Sequence, residues 1–151
     1  MAAIREHVAR LRPRVLVAGT GDAVEAVRDA LGDDAELVAA YSVNEALQRF
    51  DEDGFDTVAC NVRFDESRMF EFLQALMDRR RIARIVAFRV GQTVMPASSR
   101  NAIRNALEAL GVERFVDLIQ IGDEYGDDVA LETLRKMILD ESFSPPSPPE
   151  K

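Results

Sequence analysis

The sequence predicts a three-layer α/β domain, with a five-stranded parallel sheet covered by helices on both faces. Three observations carry this expectation. Short, continuous apolar runs such as Val15-Leu16-Val17-Ala18 and Phe55 to Cys60 have the pattern of strands buried on both faces. Longer segments whose apolar residues recur at helical spacing separate these runs. Strict alternation of the two implies right-handed crossovers between parallel strands. A length of 151 residues suits one domain with a single buried core.

Residues 1–13 read as an N-terminal helical extension. Ala2 to Leu11 is amphipathic, with Ile4, Val8 and Leu11 on one face, and Pro13 ends it. His7 lies beside that face as a surface or packing residue. The main domain spans 14–140. After Val15 to Ala18, the turn Gly19-Thr20-Gly21-Asp22 leads into a helix from Ala23 to Leu31. Glu36 to Tyr41 is the second strand. Ser42, with Glu45 three residues on, forms a capping box for a helix that turns Val43, Ala46, Leu47 and Phe50 inward.

Phe55 to Cys60 is the third strand, and it ends abruptly on the polar Asn61. A third helix runs from Met69 to Met77, with Phe70, Leu73 and Met77 on its expected buried side. Ile85 to Phe88 is the fourth strand, and a long loop from Arg89 to Ser98 follows. Ser98 or Ser99 is expected to cap a helix that Gly111 stops. Phe115 to Ile121 reads as the fifth strand and Val129 to Leu139 as the last helix. Residues 141–151 are rich in proline, which fits a disordered end or the start of a linker.

Composition narrows the function classes. Hydrophobic residues make up 47% and charged residues 30%, the balance of a folded globular chain, and no apolar run reaches the length of a membrane span. A formal net charge of -8 argues against nucleic acid or an anionic membrane as partner. The local cluster Arg79-Arg80-Arg81 with Arg84 reads as a solvated helix end. One cysteine and one histidine exclude an internal disulfide and a soft-metal cluster, and point to a reducing cytoplasm. Cys60 alternates with Asn61, is expected to be buried, and has no histidine to activate it. The acidic stretch Asp123 to Asp128 lacks the closing glutamate of a calcium loop and reads as a solvated capping loop.

The order of segments, together with Ala39-Ala40-Tyr41-Ser42-Val43-Asn44-Glu45-Ala46-Leu47, resembles a response-regulator receiver domain. Phe55-Asp56-Thr57-Val58, Glu71-Phe72-Leu73 and Leu110-Gly111 followed by Phe115 add to the likeness. It covers roughly Arg14 to Leu139. The resemblance implies a flavodoxin-like (CheY-like) αβα sandwich with sheet order 2-1-3-4-5, here with an extra N-terminal helix. It also implies where that family keeps its chemistry. The paired magnesium-binding acids fall on Gly19 and Thr20, and the phosphoryl-accepting aspartate falls on Asn61. The hydroxyl residue falls on Arg89, and the lysine on or near Leu118. The Asp-Gly usually found before the third helix falls on Arg68 and Met69.

None of these substitutions keeps the function of the residue it replaces. Magnesium requires hard oxygen ligands, and an amide is no nucleophile towards phosphorus. The expectation is therefore a degenerate receiver, without metal, cofactor or catalysis, signalling through protein contacts. Its degenerate pocket would comprise Gly19, Thr20, Arg63, Arg89 and Leu118 around Asn61. Arg89 is expected to pair with Asp65, Glu66 or Asp22. The candidate docking face carries Arg100, Arg104, Glu108, Phe115 and Asp117, with the N-terminal helix as a second surface. The partner would be a signalling kinase, an output protein or a second copy of the chain in a homodimer.

Three other readings are weaker. Gly19-Thr20-Gly21 before a helix fits the opening of a dinucleotide fingerprint, but Val24 replaces its third glycine and no acid ends the second strand. A small-anion or nucleotide sensor would use the same turn together with Arg89. An enzyme of flavodoxin-like fold would need an acid–base pair, and none is evident.

Overall fold

The computed structural model of the chain describes residues 12–79, 83–91 and 93–139. The expected N-terminal helix, Arg80, Arg81 and the proline-rich tail lie outside the described residues. The elements run β1 (Arg14–Ala18), α1 (Gly21–Leu31), β2 (Glu36–Ala40), α2 (Val43–Glu52), β3 (Thr57–Asn61) and α3 (Met69–Met77). They continue with β4 (Arg84–Arg89), α4 (Ala97–Ala109), β5 (Arg114–Asp117), α5 (Leu118–Tyr125) and α6 (Asp127–Leu139). The sheet is parallel throughout, in the order β2-β1-β3-β4-β5, as the sequence implies.

Alternation along each strand divides the core in two. Leu16, Val58, Cys60, Ala87 and Phe115 face α2, α3 and α4. Val15, Val17, Ala59, Val86, Phe88 and Val116 face α1, α5 and α6. Burial on both sides is what makes the strands read as unbroken apolar runs.

The helix ends account for much of the local sequence. Thr20 caps α1, its Oγ1 accepting from the Ala23 N–H at 3.4 Å. Ser42 caps α2 by accepting from the Glu45 N–H at 3.1 Å, while the Glu45 carboxylate reaches back to the Tyr41 N–H at 2.8 Å. A second cap on α2 comes from across the fold, where Asp65 accepts from the Val43 N–H at 2.8 Å. Asp65 also pairs with Arg68 at 3.1 Å. Those two bonds help hold a left-handed turn in which Asp65, Glu66 and Ser67 all have positive φ (48°, 56° and 71°), each at a cost of about 1–2 kcal/mol.

At the other edge of the sheet, arginines satisfy the last carbonyls of α6. Arg84 donates to the Ile138 carbonyl at 3.1 Å and Arg114 to that of Met137 at 2.9 Å. Helix C-termini leave such carbonyls unpaired and favour cations there.

Five sequence expectations require correction. The fifth strand stops at Asp117, because the Asp117 carboxylate caps a helix that begins at the next residue. The acidic stretch after Ile121 is accordingly helical up to Tyr125. Gly126, at φ 101°, then turns the chain into α6, which starts at Asp127 rather than Val129. Helix α4 starts at Ala97 behind Pro96, with no serine side chain capping it. Finally, α3 buries Met69, Phe72, Leu73 and Leu76, whereas Phe70 and Met77 are exposed. Both stripes have helical spacing. The choice is made by the neighbours, chiefly Phe64, whose ring meets Phe72 edge-on at 5.2 Å.

Phe72 is fully buried, so Phe72→Ala is expected to lower unfolding free energy by about 3–5 kcal/mol. Urea denaturation followed by circular dichroism measures it; a loss under about 1 kcal/mol would contradict the assigned face of α3.

Candidate functional site

Ligand sites on open parallel sheets form at the carboxyl ends of the strands, where strand order reverses. Here β1 and β3 lie at that point, and Asn61 is the last residue of β3. It is 1% exposed. Its Oδ1 accepts from the Arg63 N–H at 2.9 Å, which closes the turn after the strand, and its Nδ2 donates to the Phe88 carbonyl at 3.5 Å. Gly19 faces it from the end of β1. A Cβ on Gly19 would lie 3.1 Å from Asn61 Cβ and 2.8 Å from Ala23 Cβ, so close approach requires glycine there.

Arg89 ends β4 and is 7% exposed. The β4–β5 register sets it directly opposite Asp117, the last residue of β5. The Arg89 Nη1 lies 3.4 Å from Asp117 Oδ1, with both side chains buried. Arg89 Nη2 donates to the Thr93 carbonyl at 2.5 Å, fastening the loop that follows β4. Asp117 Oδ1 accepts from the Ile119 and Gln120 N–H groups at 3.1 and 3.4 Å, which caps α5. A buried charge is tolerated only when it is paired and its remaining hydrogen-bonding capacity is used. This pair meets both conditions.

The partner of Arg89 is therefore Asp117, not Asp65, Glu66 or Asp22 as the sequence suggested. Asp65 is taken up by Val43 and Arg68, and Glu66 and Asp22 are exposed. Leu118, expected in the pocket, lies in the core beneath α1 and α6.

Thr20, Asn61, Arg63 and Arg89 do come together, bordering with Asp22 and Thr93 a cavity of about 210 Å³. Its charges largely offset one another. Arg89 is neutralised by Asp117, and the exposed Arg63 is set against the exposed Asp22. A hard divalent cation needs several carboxylate oxygens, but among the described residues Asp22 is the sole carboxylate bordering the cavity, alongside two threonines and an amide. That donor set does not fit magnesium. Among the described residues, no group of three or more histidine, cysteine, aspartate or glutamate side chains could hold a metal ion.

Cys60 is wholly buried, and burial pushes its thiol well above the usual range. It is inert packing rather than a nucleophile. The expected docking face is only partly available. Arg104 is exposed and lies over the Phe115 ring, 5.5 Å from its centroid. Arg100 is half-buried and donates to the Met95 carbonyl at 2.9 Å, and Glu108 is exposed. Phe115 and Asp117 are buried and have no free surface to offer. Phe115 packs into the core on the α4 side, and Asp117 is taken up by Arg89 and by the cap of α5.

No family model and no curated protein matches the sequence. Solved structures match its fold. The chemotaxis response regulator CheY4 of Vibrio cholerae is 19% identical, with a TM-score of 0.61 over 84% of this chain and 99% of that one. A response regulator from Thermotoga maritima is 18% identical, with a TM-score of 0.61 over 85% and 99%. The signal receiver domain of a LuxO repressor protein from Vibrio parahaemolyticus is 15% identical, with a TM-score of 0.58 over 86% and 95%.

The fold is that of a response-regulator receiver domain. Within this receiver fold, Asp117, expected as an outward contact, is instead the buried partner of Arg89. The available signal was a charge at the end of each of two apolar runs, Phe88-Arg89 and Val116-Asp117. Two buried strand ends of opposite charge suggest a pair, once the strands are known to be neighbours.

Two measurements test the site. Arg89→Met alone should cost about 3–5 kcal/mol, because it leaves Asp117 buried without a counter-charge, and adding Asp117→Asn should recover a large part of that. Urea denaturation of the single and double variants reads this out; strictly additive losses would show that the pair does not act as one. Cys60 should resist iodoacetamide in the folded protein and react on denaturation, as followed by intact mass. Rapid native labelling would contradict its burial.

Proposed function

We propose that this receiver-fold chain is a signalling protein that works by protein contact, without being phosphorylated and without catalysing a reaction. The observation that carries the reading is the buried Arg89–Asp117 pair at the strand ends. The resemblance sets a hydroxyl switch at the first of these positions and a lysine next to the second. Here both side chains are committed to each other, to the β4–α4 loop and to the cap of α5. Asn61 supports the same reading. A neutral amide is no phosphoryl acceptor, and both ends of this one are engaged, its oxygen in the turn after β3 and its nitrogen on the Phe88 carbonyl of β4. The partner is a kinase, an output protein or a second copy of the chain, with Arg100, Arg104 and Glu108 as the exposed or half-exposed part of one docking face.

The alternative is a small-anion or nucleotide sensor at the Gly19-Thr20-Gly21 turn. It is favoured by Thr20, Arg63 and Arg89 sharing one cavity. It is weakened by Asp117, which cancels the buried cation and leaves the exposed Arg63 to attract an anion.

Incubation with acetyl phosphate and magnesium should leave the intact mass unchanged, and Asn61→Asp alone should not restore labelling because the metal-binding carboxylates are still missing. A gain of one phosphoryl group by the unaltered chain would overturn the reading. Millimolar phosphate should leave the Thr20 and Asn61 amide signals in place, whereas saturable shifts would favour the sensor.

A further inference from the structure

A second concave surface adjoins the strand-end cavity, sharing Asp22, Val90 and Gly91 with it. It is a groove of about 700 Å³ between α1 and the corner made by α5 and α6. Apolar side chains line its floor, among them Leu118, Ile119, Leu131 and Val94. Val94 is 55% exposed, a large apolar side chain left in water. Carboxylates line both walls, with Asp22, Glu25 and Asp29 on α1 facing Asp123 and Asp127 on α5 and α6.

These five are all exposed, none forms an ion pair among the described residues, and no lysine or arginine lines the groove. Asp22, Glu25 and Asp29 follow one another at spacings of three and four along one stripe of α1. Like charges at that spacing repel and weaken a helix by a few tenths of a kcal/mol per pair. The stripe covers about 10 Å of helix axis, roughly two turns. An apolar floor between two walls of one charge sign is the complement of an amphipathic helix with cations along both edges of its apolar face.

We infer that this groove is a docking site for a cationic amphipathic helix of a partner protein. The site is tied to the strand-end pair. Asp117 caps α5, the helix that supplies Ile119 and Asp123, and its other contact is the buried Arg89. Asp22, Val90 and Gly91 border both the groove and the smaller cavity. The inference rests on reading the chain as a protein-contact module, and it identifies the partner's chemistry and a surface distinct from the face of α4.

The test is an amide-shift titration of the full chain with an 18-residue leucine–arginine peptide in amphipathic helical spacing. Two control peptides accompany it, one with glutamate in place of arginine and one with the same composition scrambled. Saturable shifts confined to α1, α5 and the start of α6 are expected from the first peptide only. Glu25→Lys combined with Asp29→Lys should weaken binding at least tenfold, and Val94→Ser several-fold. Glu52→Lys, exposed on α2 at the opposite face of the sheet, should leave it unchanged.

Equal binding of the scrambled peptide, indifference to the charge reversals, or no shift at millimolar peptide would each overturn the proposal. Binding seen only after residues 1–11 are removed would also overturn it, by assigning the groove to the chain itself. A phosphoryl gain from acetyl phosphate would sink the broader functional reading and leave this titration standing; a failed titration with unchanged mass would sink the groove alone.

Discussion

An arginine and an aspartate, buried opposite each other at the ends of neighbouring strands, decide how the carboxyl edge of this sheet is built. Neither charge could be buried alone, since isolated ions lose far more in leaving water than the interior returns. Parallel register sets Arg89 and Asp117 in line, and each then makes one further commitment. Arg89 holds the loop after β4 through the Thr93 carbonyl. Asp117 caps α5. One ion pair thereby fixes a strand end, a loop and a helix start.

The surrounding residues fit that closed arrangement. Asn61 uses its amide to finish the turn after β3, and Gly19 is small because Asn61 and Ala23 leave no room for more. Thr20 caps α1. Most polar side chains lining this edge are therefore engaged in local structure, and few are left free for chemistry. In the proposed reading, the receiver fold supplies a frame whose usual occupants are replaced by residues that bond to the frame itself. On that reading, the chain signals through its surfaces and keeps the strand ends as a structural clamp.

The clamp also shapes a surface. Because Asp117 starts α5 immediately after β5, the segment after the last strand consists of two helices meeting at Gly126. Their corner stands over α1 and forms the far wall of the acidic groove. A shorter link from β5 to a single final helix would leave no such wall. The pair at the strand ends and the groove are thus connected through one helix cap, which makes the groove sensitive to whatever alters Arg89 or Asp117.

The sequence by itself determined the fold. Apolar runs at Val15 to Ala18 and Ile85 to Phe88, and capping signals such as Ser42 with Glu45, are local features, and local features set element type and order. They also marked Asn61 as the polar end of the third strand. Tertiary structure alone decided the rest, because it depends on which elements are neighbours. Met69 and Phe72 rather than Phe70 and Met77 are buried because Phe64 packs against that side of α3. Phe115 to Ile121 is apolar enough for a longer strand. Only the meeting of Asp117 with Arg89 and with the N–H groups of α5 ends it after four residues. A charge at a strand end is visible in a sequence; the opposite charge that permits its burial becomes visible only when β4 and β5 are laid side by side.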